Sequence, residues 1–523
     1  MYLRACVALQ ASGYTLVRAC VVLPLVMALG AGCASLPTDY PRTESTALED
    51  YHSTSMGQRW LAAEAQHPGE SGFGILRYGR NAFAVRIGMI DLAEKTLDLQ
   101  VYIWEPDDTG RILAERLIRA ADRGVRIRLL VDDMGVGASD DSIAAMDAHP
   151  NIELRLFNPF ANRGSSMFEF IFDLDRVNHR MHNKTMVVDN SLAVIGGRNI
   201  GNHYFGVDPQ TNFRDLDIMA VGPVVRDISN VFDYFWRGDW AVPISVLVDR
   251  SYTQADLQEA RVRLRKNVVA GNYPYSVDDE VDAVLAYVNE RADAVVWAPG
   301  RIVWDNPAAA QSSGAEAGEL IAALRRKLDT LQSSLIIESA YFVVGDRGVA
   351  SLEKLVKRGV SVRVLTNSLV SNDVLAAHAG HANYREDLLR GGIELYELRA
   401  DSGVVRKGWK GESRAGLHTK AMAFDGESLF IGSFNLDPRS ANINTEAGLY
   451  VESPELTAQL LAYMAEGVLP ENSYQLVLDE DGDLQWITQI DGGEVRFDTD
   501  PLSSFGQRIM SSFIGILPVE SQL

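Results

Sequence analysis

The chain has 523 residues, 47% hydrophobic and 23% charged, and its 49 Lys and Arg face 70 Asp and Glu, for a formal net charge of -21. This globular composition excludes a disordered tail and a fibre, and the length allows two to four units at roughly 100–200 residues per domain. The acidic excess disfavours contact with many phosphates of a nucleic acid, so no nucleic-acid partner is expected. All three cysteines, Cys6, Cys20 and Cys33, lie in the first 33 residues, which excludes a disulfide framework or a cysteine zinc site from the body.

Residues 1–32 are predicted to be a signal peptide. Arg4 and Arg18 precede an apolar run over 19–32 that holds no Asp or Glu. At roughly 14 residues this run is too short for a membrane span, which needs about 20, although a buried helix is an alternative. Its small-residue ending before Cys33 resembles the lipidation site of bacterial lipoproteins. That resemblance implies lipidation at Cys33 and a periplasm-facing anchor in the cell envelope, and Ala34 after it favours the outer membrane over the inner.

Two similar units follow in chain order. Residues 33–70 are predicted to be a tether, because 37–66 are largely polar. A strand over 97–104, a helix over 110–123 and a strand over 124–132 then form a βαβ unit, which requires parallel strands. A strand over 335–342, a helix over 348–357 and a strand over 359–367 repeat it at an offset of about 236 residues.

The repeat divides the chain into a first half, 71–255, and a second half, 321–523. Residues 256–320 between them are charged and Ala-rich, and they are predicted to be a helical connection or insertion without clear strands. Each half is expected to be of the α/β class, with a mostly parallel sheet flanked by helices.

One pattern recurs downstream of each βαβ unit. The first copy is His182-Asn-Lys184-Thr-Met-Val-Val-Asp189 with Asn199 further on, and the second is His418-Thr-Lys420-Ala-Met-Ala-Phe-Asp425 with Asn435. Residues two apart on a strand face the same side, so each His projects with its Lys. A neutral imidazole can attack phosphorus or move a proton near pH 7, and ammonium and amide groups can hold phosphoryl oxygens. The pattern therefore indicates phosphoryl chemistry.

This arrangement resembles the phospholipase D superfamily, whose HKD motifs these are. Further segments are typical of its bacterial cardiolipin synthase C branch: Phe157-Asn-Pro-Phe160, Arg180-Met-His-Asn-Lys184, Arg214-Asp-Leu-Asp217 and the tail from Asp500-Pro-Leu-Ser-Ser-Phe505 to Leu517-Pro-Val-Glu-Ser-Gln-Leu523. The resemblance runs from about residue 71 to the C-terminus. It implies two duplicated phospholipase D-like domains with the active site at their interface.

The resemblance also implies a two-step phosphatidyl transfer without metal or cofactor. One histidine forms a phosphohistidine, while the other protonates the leaving alcohol and then deprotonates the acceptor. His182 is predicted to be the nucleophile and His418 the general acid and base. The remaining predicted site residues are Lys184 and Lys420 on the phosphoryl oxygens, Asp189 and Asp425 as motif carboxylates that support the catalytic set, Asn199 and Asn435 as amide donors, and Asp215 and Glu446 as carboxylates that orient an imidazole of the same or the opposite half.

The expected substrates are phospholipids: phosphatidylglycerol, with phosphatidylethanolamine as a further candidate, and the expected product is cardiolipin. The competing hypothesis is a phospholipase D that uses water as acceptor. The HKD residues do not distinguish the two reactions, because the acceptor is determined by pocket shape and water exclusion. Two less favoured hypotheses are a nuclease and a non-catalytic envelope scaffold. The acidic charge and export signal disfavour the nuclease, and the two intact motifs disfavour the scaffold.

Overall fold

The computed structural model describes residues 36–163, 169, 173–279, 281–282, 295–307, 319–405, 413–517 and 520–522. The predicted signal peptide and Cys33 lie outside the described residues. No helix in these ranges is long and apolar enough to cross a membrane.

Helices flank two large sheets. In chain order the helices are α1 (Ser55–Gln66), α2 (Gly79–Leu92), α3 (Asp108–Asp122), α4 (Asp140–Asp147), α5 (Leu174–Val177), α6 (Pro223–Arg237), α7 (Ile244–Leu247), α8 (Gln254–Ala270), α9 (Glu319–Thr330), α10 (Gly345–Lys357), α11 (Leu375–Ala382), α12 (Arg385–Arg390), α13 (Pro438–Asn442), α14 (Pro454–Gly467) and α15 (Phe505–Ile516). The strands are β1 (Ser71–Leu76), β2 (Thr96–Val101), β3 (Arg126–Asp132), β4 (Ile152–Phe157), β5 (Thr185–Val188), β6 (Leu192–Gly196), β7 (Thr211–Arg214), β8 (Asp217–Val221), β9 (Ala241–Pro243), β10 (Val296–Ala298), β11 (Gly300–Trp304), β12 (Ser334–Ser339), β13 (Ser361–Asn367), β14 (Glu394–Leu398), β15 (Arg414–Leu417), β16 (Lys420–Phe424), β17 (Ser428–Gly432), β18 (Ala447–Glu452), β19 (Ser473–Leu478), β20 (Leu484–Ile490) and β21 (Gly493–Phe497).

The two sheets repeat one strand order. Within the described ranges the first sheet runs β10-β1-β8-β6-β5-β2-β3-β4-β9 and the second β11-β18-β17-β16-β12-β13-β14-β19-β20-β21. The segment β6-β5-β2-β3-β4 of the first thus corresponds to β17-β16-β12-β13-β14 of the second. Both predicted βαβ units are present, with β2 parallel to β3 and β12 parallel to β13. The duplicated α/β fold is confirmed.

The sheets are mixed, so the prediction of mostly parallel sheets is wrong in this detail. Within the two large sheets, as far as the structure describes them, only β2-β3-β4 and β12-β13-β14 run parallel, and every other neighbouring pair is antiparallel. Strands β7 and β15, one from each half, form a separate parallel pair. The motif strands are joined to the next strand by tight turns rather than by helices. Asp189 and Asn190 have φ of 50° and 48°, the two positive values that a type I′ hairpin turn needs. Such a turn forces an antiparallel neighbour.

The connection between the halves contains strands, which corrects the prediction for residues 256–320. Helix α8 fills its first part as expected. Then β10 pairs with β1 of the first sheet, and β11 pairs with β18 of the second. These strands have only three and five residues, and their side chains are mostly half-buried, so they lack the alternation that predicts a strand.

The predicted tether also differs from expectation over its described part. Arg128 donates to the carbonyl of Ser45 at 2.9 Å, and Arg155 donates to that of Thr43 at 2.8 Å. Trp60 of α1 is buried. A guanidinium has five N–H donors, and a single carboxylate cannot accept from all of them. The backbone carbonyls of residues 43 and 45 therefore accept from the N–H groups that the carboxylates leave unpaired. Residues in this segment are therefore docked on the first half.

The two sheets face each other across a shared apolar cluster. Small and branched side chains of β5 and β6 lie against those of β16 and β17, with Val187 and Ala193 in the same cluster as Ala421 and Ala423. A buried ion pair crosses the same boundary, with Arg214 Nη2 3.0 Å from Glu338 Oε1. This packing brings the two HKD motifs together.

Candidate active site

Each motif histidine is fixed by the backbone of the other half. The amide of His182 donates to the carbonyl of Thr445 at 2.9 Å, and the amide of His418 donates to that of Arg214 at 2.8 Å. The regular strand begins only at Thr185 in the first copy and at Lys420 in the second. The histidines therefore lie just before their strands, on extended segments that the opposite half holds in place.

The carboxylate partners are also exchanged between the halves. The Nδ1 of His182 lies 3.0 and 2.9 Å from the two carboxylate oxygens of Glu446. The Nδ1 of His418 lies 2.7 Å from Asp215 Oδ2. Of the two predicted arrangements, the opposite-half one is present. Because Nδ1 is engaged in both rings, Nε2 is the nitrogen left to face a substrate.

The two carboxylates are held by different means. Glu446 accepts hydrogen bonds from the hydroxyls of Ser433 at 2.5 Å and Ser440 at 2.8 Å. Asp215 accepts from the backbone amide of Leu216 at 2.7 Å. Gly197, the counterpart of Ser433, lies so close that a Cβ there would be 2.2 Å from Asp215 Oδ1. The first copy therefore needs glycine where the second uses a hydroxyl donor.

The two motif lysines are buried, and each is close enough to both imidazoles for its charge to act on them. Lys184 Nζ donates to the carbonyl of His182 at 2.5 Å, and Lys420 Nζ donates to that of His418 at 2.6 Å. Burial lowers the pKa of Lys184 to about 7, against the opposing pull of the Glu446 carboxylate. Burial, followed by the charges of both lysines, lowers the pKa of each histidine well below its usual value. The imidazoles are therefore neutral near pH 7, and the lysines form a site for an anion.

Aromatic side chains that the sequence pattern did not single out surround the imidazoles. Tyr102 stands edge-on to His182 at 5.0 Å between ring centroids, and Phe213 stacks on His418 at 5.3 Å. Tyr204 stands edge-on to His418 at 5.1 Å. Tyr102 follows β2 directly, and a polar aromatic residue at the carboxyl end of a parallel strand is the signal that could have indicated it. These rings contribute to the burial of the two histidines.

The motif aspartates Asp189 and Asp425 serve the fold rather than the reacting atoms. Asp189 accepts from the amides of residues 94–96 at 2.8–2.9 Å, and Asp425 accepts from those of residues 332–334 at 2.8–3.2 Å. Each lies at the far end of its strand, roughly 20 Å from its histidine at about 3.3 Å per residue. Their place in the catalytic set is therefore corrected to that of strand supports.

The two motif asparagines differ. Asn199 Oδ1 accepts from the amide of Ile103 at 3.1 Å, and its Nδ2 donates to the hydroxyl of Tyr204 at 2.9 Å. Asn199 thus holds Tyr204 against His418. Asn435 is buried, and its Oδ1 has no hydrogen-bond partner among the described residues. Of the two predicted amide donors, Asn199 has its Nδ2 engaged by Tyr204, and the atom that Asn435 leaves unpaired among the described residues is the acceptor Oδ1.

Known proteins resemble this chain over most of its length. The protein family described as cardiolipin synthase, PLD-like domain, matches residues 87–236 and 324–467. Cardiolipin synthase C of Escherichia coli (strain K12) is 39% identical over 464 residues, which cover 87% of this chain and 97% of that protein. An uncharacterized protein of Helicobacter pylori (strain ATCC 700392 / 26695) is 29% identical over 93% of this chain and 96% of its own length.

A solved structure, that of phosphatidylserine synthase of Haemophilus influenzae Rd KW20, superposes with a TM-score of 0.54 at 16% identity, covering 80% of this chain and 92% of that one. This likeness concerns the fold. The family match spans more than half of the chain and includes both HKD motifs. The chain belongs to the phospholipase D superfamily, in the family described as cardiolipin synthase, PLD-like domain.

Proposed function

We propose that this protein transfers a phosphatidyl group between phospholipids through a phosphohistidine, with phosphatidylglycerol as donor and acceptor and cardiolipin as product. The observation that carries the proposal is the crossed pairing of the two motif imidazoles, His182 with Glu446 and His418 with Asp215, around two buried lysines. One neutral base on each side of an anion site is what an in-line double displacement at phosphorus requires. Phosphatidylethanolamine is a further candidate substrate.

In the first step Nε2 of His182 attacks the phosphorus of the donor. The bond from phosphorus to the leaving alcohol breaks, and His418 Nε2 gives that alcohol its proton. The Nδ1–H of His182 points to Glu446, so its lone pair is on Nε2. Arg439 adds a further positive charge that lowers the pKa of His182, which favours the neutral form a nucleophile needs.

His418 must carry a proton when the donor binds. In the empty site the ring is held neutral by burial and by both lysines. A bound phosphodiester brings a negative charge between those lysines and offsets their effect, so the pKa of His418 rises. Protonation of the general acid is thus coupled to the arrival of substrate.

In the second step His418 takes the proton of the acceptor hydroxyl, and the acceptor oxygen attacks phosphorus. The bond from phosphorus to His182 Nε2 breaks, which restores the free enzyme and leaves one ester exchanged for another. Lys184 and Lys420 hold the phosphoryl oxygens in both steps. His182 and His418 are only 7% and 5% exposed. The aromatic rings around them favour a lipid alcohol over water as acceptor.

The same proposal includes the cellular setting and the division of the chain. A lipid attached at Cys33 would hold the protein on the periplasmic side of the cell envelope, at the outer membrane, where its substrates lie. Residues 71–255 and 321–523 are the two phospholipase D-like domains, and 256–320 connect them.

Product analysis tests the proposal. Purified protein is incubated with phosphatidylglycerol vesicles, with and without phosphatidylethanolamine, and the lipids are identified by mass spectrometry. Cardiolipin and free glycerol are expected, and both disappear in His182→Ala and in His418→Ala. His52 is exposed and lies outside both motifs, so His52→Ala is a matched control that should keep the wild-type rate. Phosphatidic acid as the sole product would show that the enzyme hydrolyses phosphatidylglycerol and does not transfer its phosphatidyl group. The absence of any lipid product would overturn the proposal.

A further inference from the structure

We propose that the C-terminal helix α15 docks the protein onto the surface of a lipid bilayer, with its outer face in the interfacial layer. The inference rests on the proposed function, since only a phospholipid substrate places the active site at a membrane. It assigns a role to the tail, which the chemistry of the two motifs leaves unused.

The helix presents its apolar side outward. On its inner side Ser511 is buried and Gly515 is half-buried. Asn383, directly after α11, donates from Nδ2 to the carbonyl of Gly515 at 3.2 Å. The outer face consists of Phe505, Ile509, Met510, Phe513 and Ile516, which are 72%, 53%, 51%, 59% and 83% exposed. A surface helix of a globular protein normally buries such residues. Here Ser511 is buried against the protein and Ile514 is half-buried, whereas the five large apolar side chains of the outer face are exposed together with Gln507 and Ser512.

This apolar surface is concentrated in one place. Seven of the 18 large apolar side chains that are exposed in the described part of the chain fall within residues 502–517. Contiguous exposed apolar patches mark sites of protein or membrane contact.

Charge distinguishes a membrane from other occupants of this surface. From Phe505 to Leu517 the chain has one Arg508 and no Asp or Glu, although it holds 70 acidic residues overall. The acidic groups on either side are tied to the protein: Asp500 is 2.8 Å from Arg385, and Glu520 accepts from the hydroxyl of Tyr384 at 2.7 Å. The outer face is therefore a place where this acidic protein can approach anionic lipid without repulsion.

The tail beyond the helix reaches the rim of the active site. Gln522 accepts from Asn178 Nδ2 at 2.8 Å, and its carbonyl accepts from Arg439 at 3.4 Å. Arg439 is near enough for its charge to lower the pKa of His182. A helix that lies on the bilayer would thus be connected by a short segment to the cleft that must receive a lipid headgroup.

A fluorescent reporter tests the contact directly. The chain has no cysteine after Cys33, so the full-length protein with Cys6→Ser, Cys20→Ser and Cys33→Ser accepts one label at an introduced cysteine. An environment-sensitive dye on Phe513→Cys should brighten at least twofold and shift to shorter wavelength on vesicles of phosphatidylglycerol and phosphatidylethanolamine. The same dye on Val269→Cys, an 87% exposed position on α8, should change little. An equal response at both positions would overturn the proposal, and brightening with protein concentration alone would show that a second copy covers the helix.

Turnover separates this inference from the proposed function. The test variant carries Phe505→Ser, Ile509→Ser, Phe513→Ser and Ile516→Ser, and the control carries Val262→Ser and Val269→Ser on exposed positions of α8. The ratio of the rate on vesicles to the rate on monomeric short-chain phosphatidylglycerol should fall at least tenfold in the test variant only. An unchanged ratio contradicts the docking role. If the wild-type protein turns over neither the vesicles nor the monomeric lipid, the proposed function is wrong. The dye response still shows whether α15 contacts the bilayer.

Discussion

Replacing Glu446 by glutamine should strongly lower kcat, although this residue need not touch the substrate. Glu446 is fully buried and receives Nδ1 of His182 on both oxygens, at 3.0 and 2.9 Å. Glutamine keeps the shape, but its amide can donate to Nδ1. Donation stabilises the tautomer with the proton on Nε2, which removes the lone pair that attacks phosphorus.

The size of the effect follows from that tautomer change. A charged hydrogen bond is worth about 1.5–3 kcal/mol, and a correctly placed proton at a reacting centre contributes roughly 10²- to 10⁴-fold in rate. We therefore expect kcat of Glu446→Gln to fall by about 10²- to 10⁴-fold, or ~3–5 kcal/mol at the barrier, with KM nearly unchanged.

Steady-state cardiolipin formation by mass spectrometry measures this effect, and thermal unfolding confirms that the variant is folded. Asp425→Asn is the matched control, because that carboxylate lies in the motif but accepts almost entirely from backbone amides. It should keep kcat within about threefold, yet lose about 1–3 kcal/mol of unfolding free energy. A Glu446→Gln enzyme with kcat within threefold of wild type, or with a raised KM and normal kcat, would refute the positioning role.

The pH profile, the response to a chelator and the ion pair between the halves test the proposed mechanism further. Burial raises the pKa of Glu446 and lowers that of Lys184, each to about 7; protonation of Glu446 and loss of the Lys184 charge should each reduce activity, so kcat/KM is predicted to be a bell centred near pH 7. A flat profile from about pH 5 to 9 would contradict this. Because Lys184 and Lys420 supply the positive charge, EDTA should leave the rate unchanged; a loss restored by zinc would contradict the proposed mechanism. Arg214→Met leaves Glu338 buried without its partner, so it should lower the free energy of unfolding by urea by about 3–5 kcal/mol. The double variant with Glu338→Met should lose less. Equal losses in the two variants would show that the ion pair does not stabilise the boundary.

The sequence could predict the reactive residues because they are repeated locally. His182 and Lys184, like His418 and Lys420, recur at one offset in matching surroundings, and two-residue spacing places each pair on one side of an extended segment. The βαβ units could be predicted for the same reason, since helical and strand periodicities are local properties of the chain.

The partners of the histidines could not be assigned in the same way. Glu446 is 264 residues from His182, and Asp215 is 203 residues from His418. Which carboxylate meets which imidazole depends on how the two sheets pack face to face, and no periodicity within one half encodes that.

Two further features could not be predicted from the sequence: the direction of the strands that flank each βαβ unit, and the face of α15 that meets the protein. A strand pattern is the same in parallel and antiparallel sheets, and only the connection decides between them. The Asp189-Asn190 turn was the available signal, because such pairs favour hairpins. The amphipathic pattern of Phe505 to Ile516 predicts a helix but does not tell which face meets the protein.

In the proposed mechanism one histidine from each half acts at a single phosphorus, and His182 is the nucleophile. The most direct measurement locates the covalent intermediate. His418→Ala is mixed with a p-nitrophenyl phosphodiester, whose leaving group needs no proton, quenched in alkali and analysed by peptide mass spectrometry. We predict one equivalent of nitrophenol and a phosphoryl group on His182, and neither in His182→Ala. A phosphoryl group on His418 of the wild-type protein, or turnover with no modified histidine, would contradict the claim.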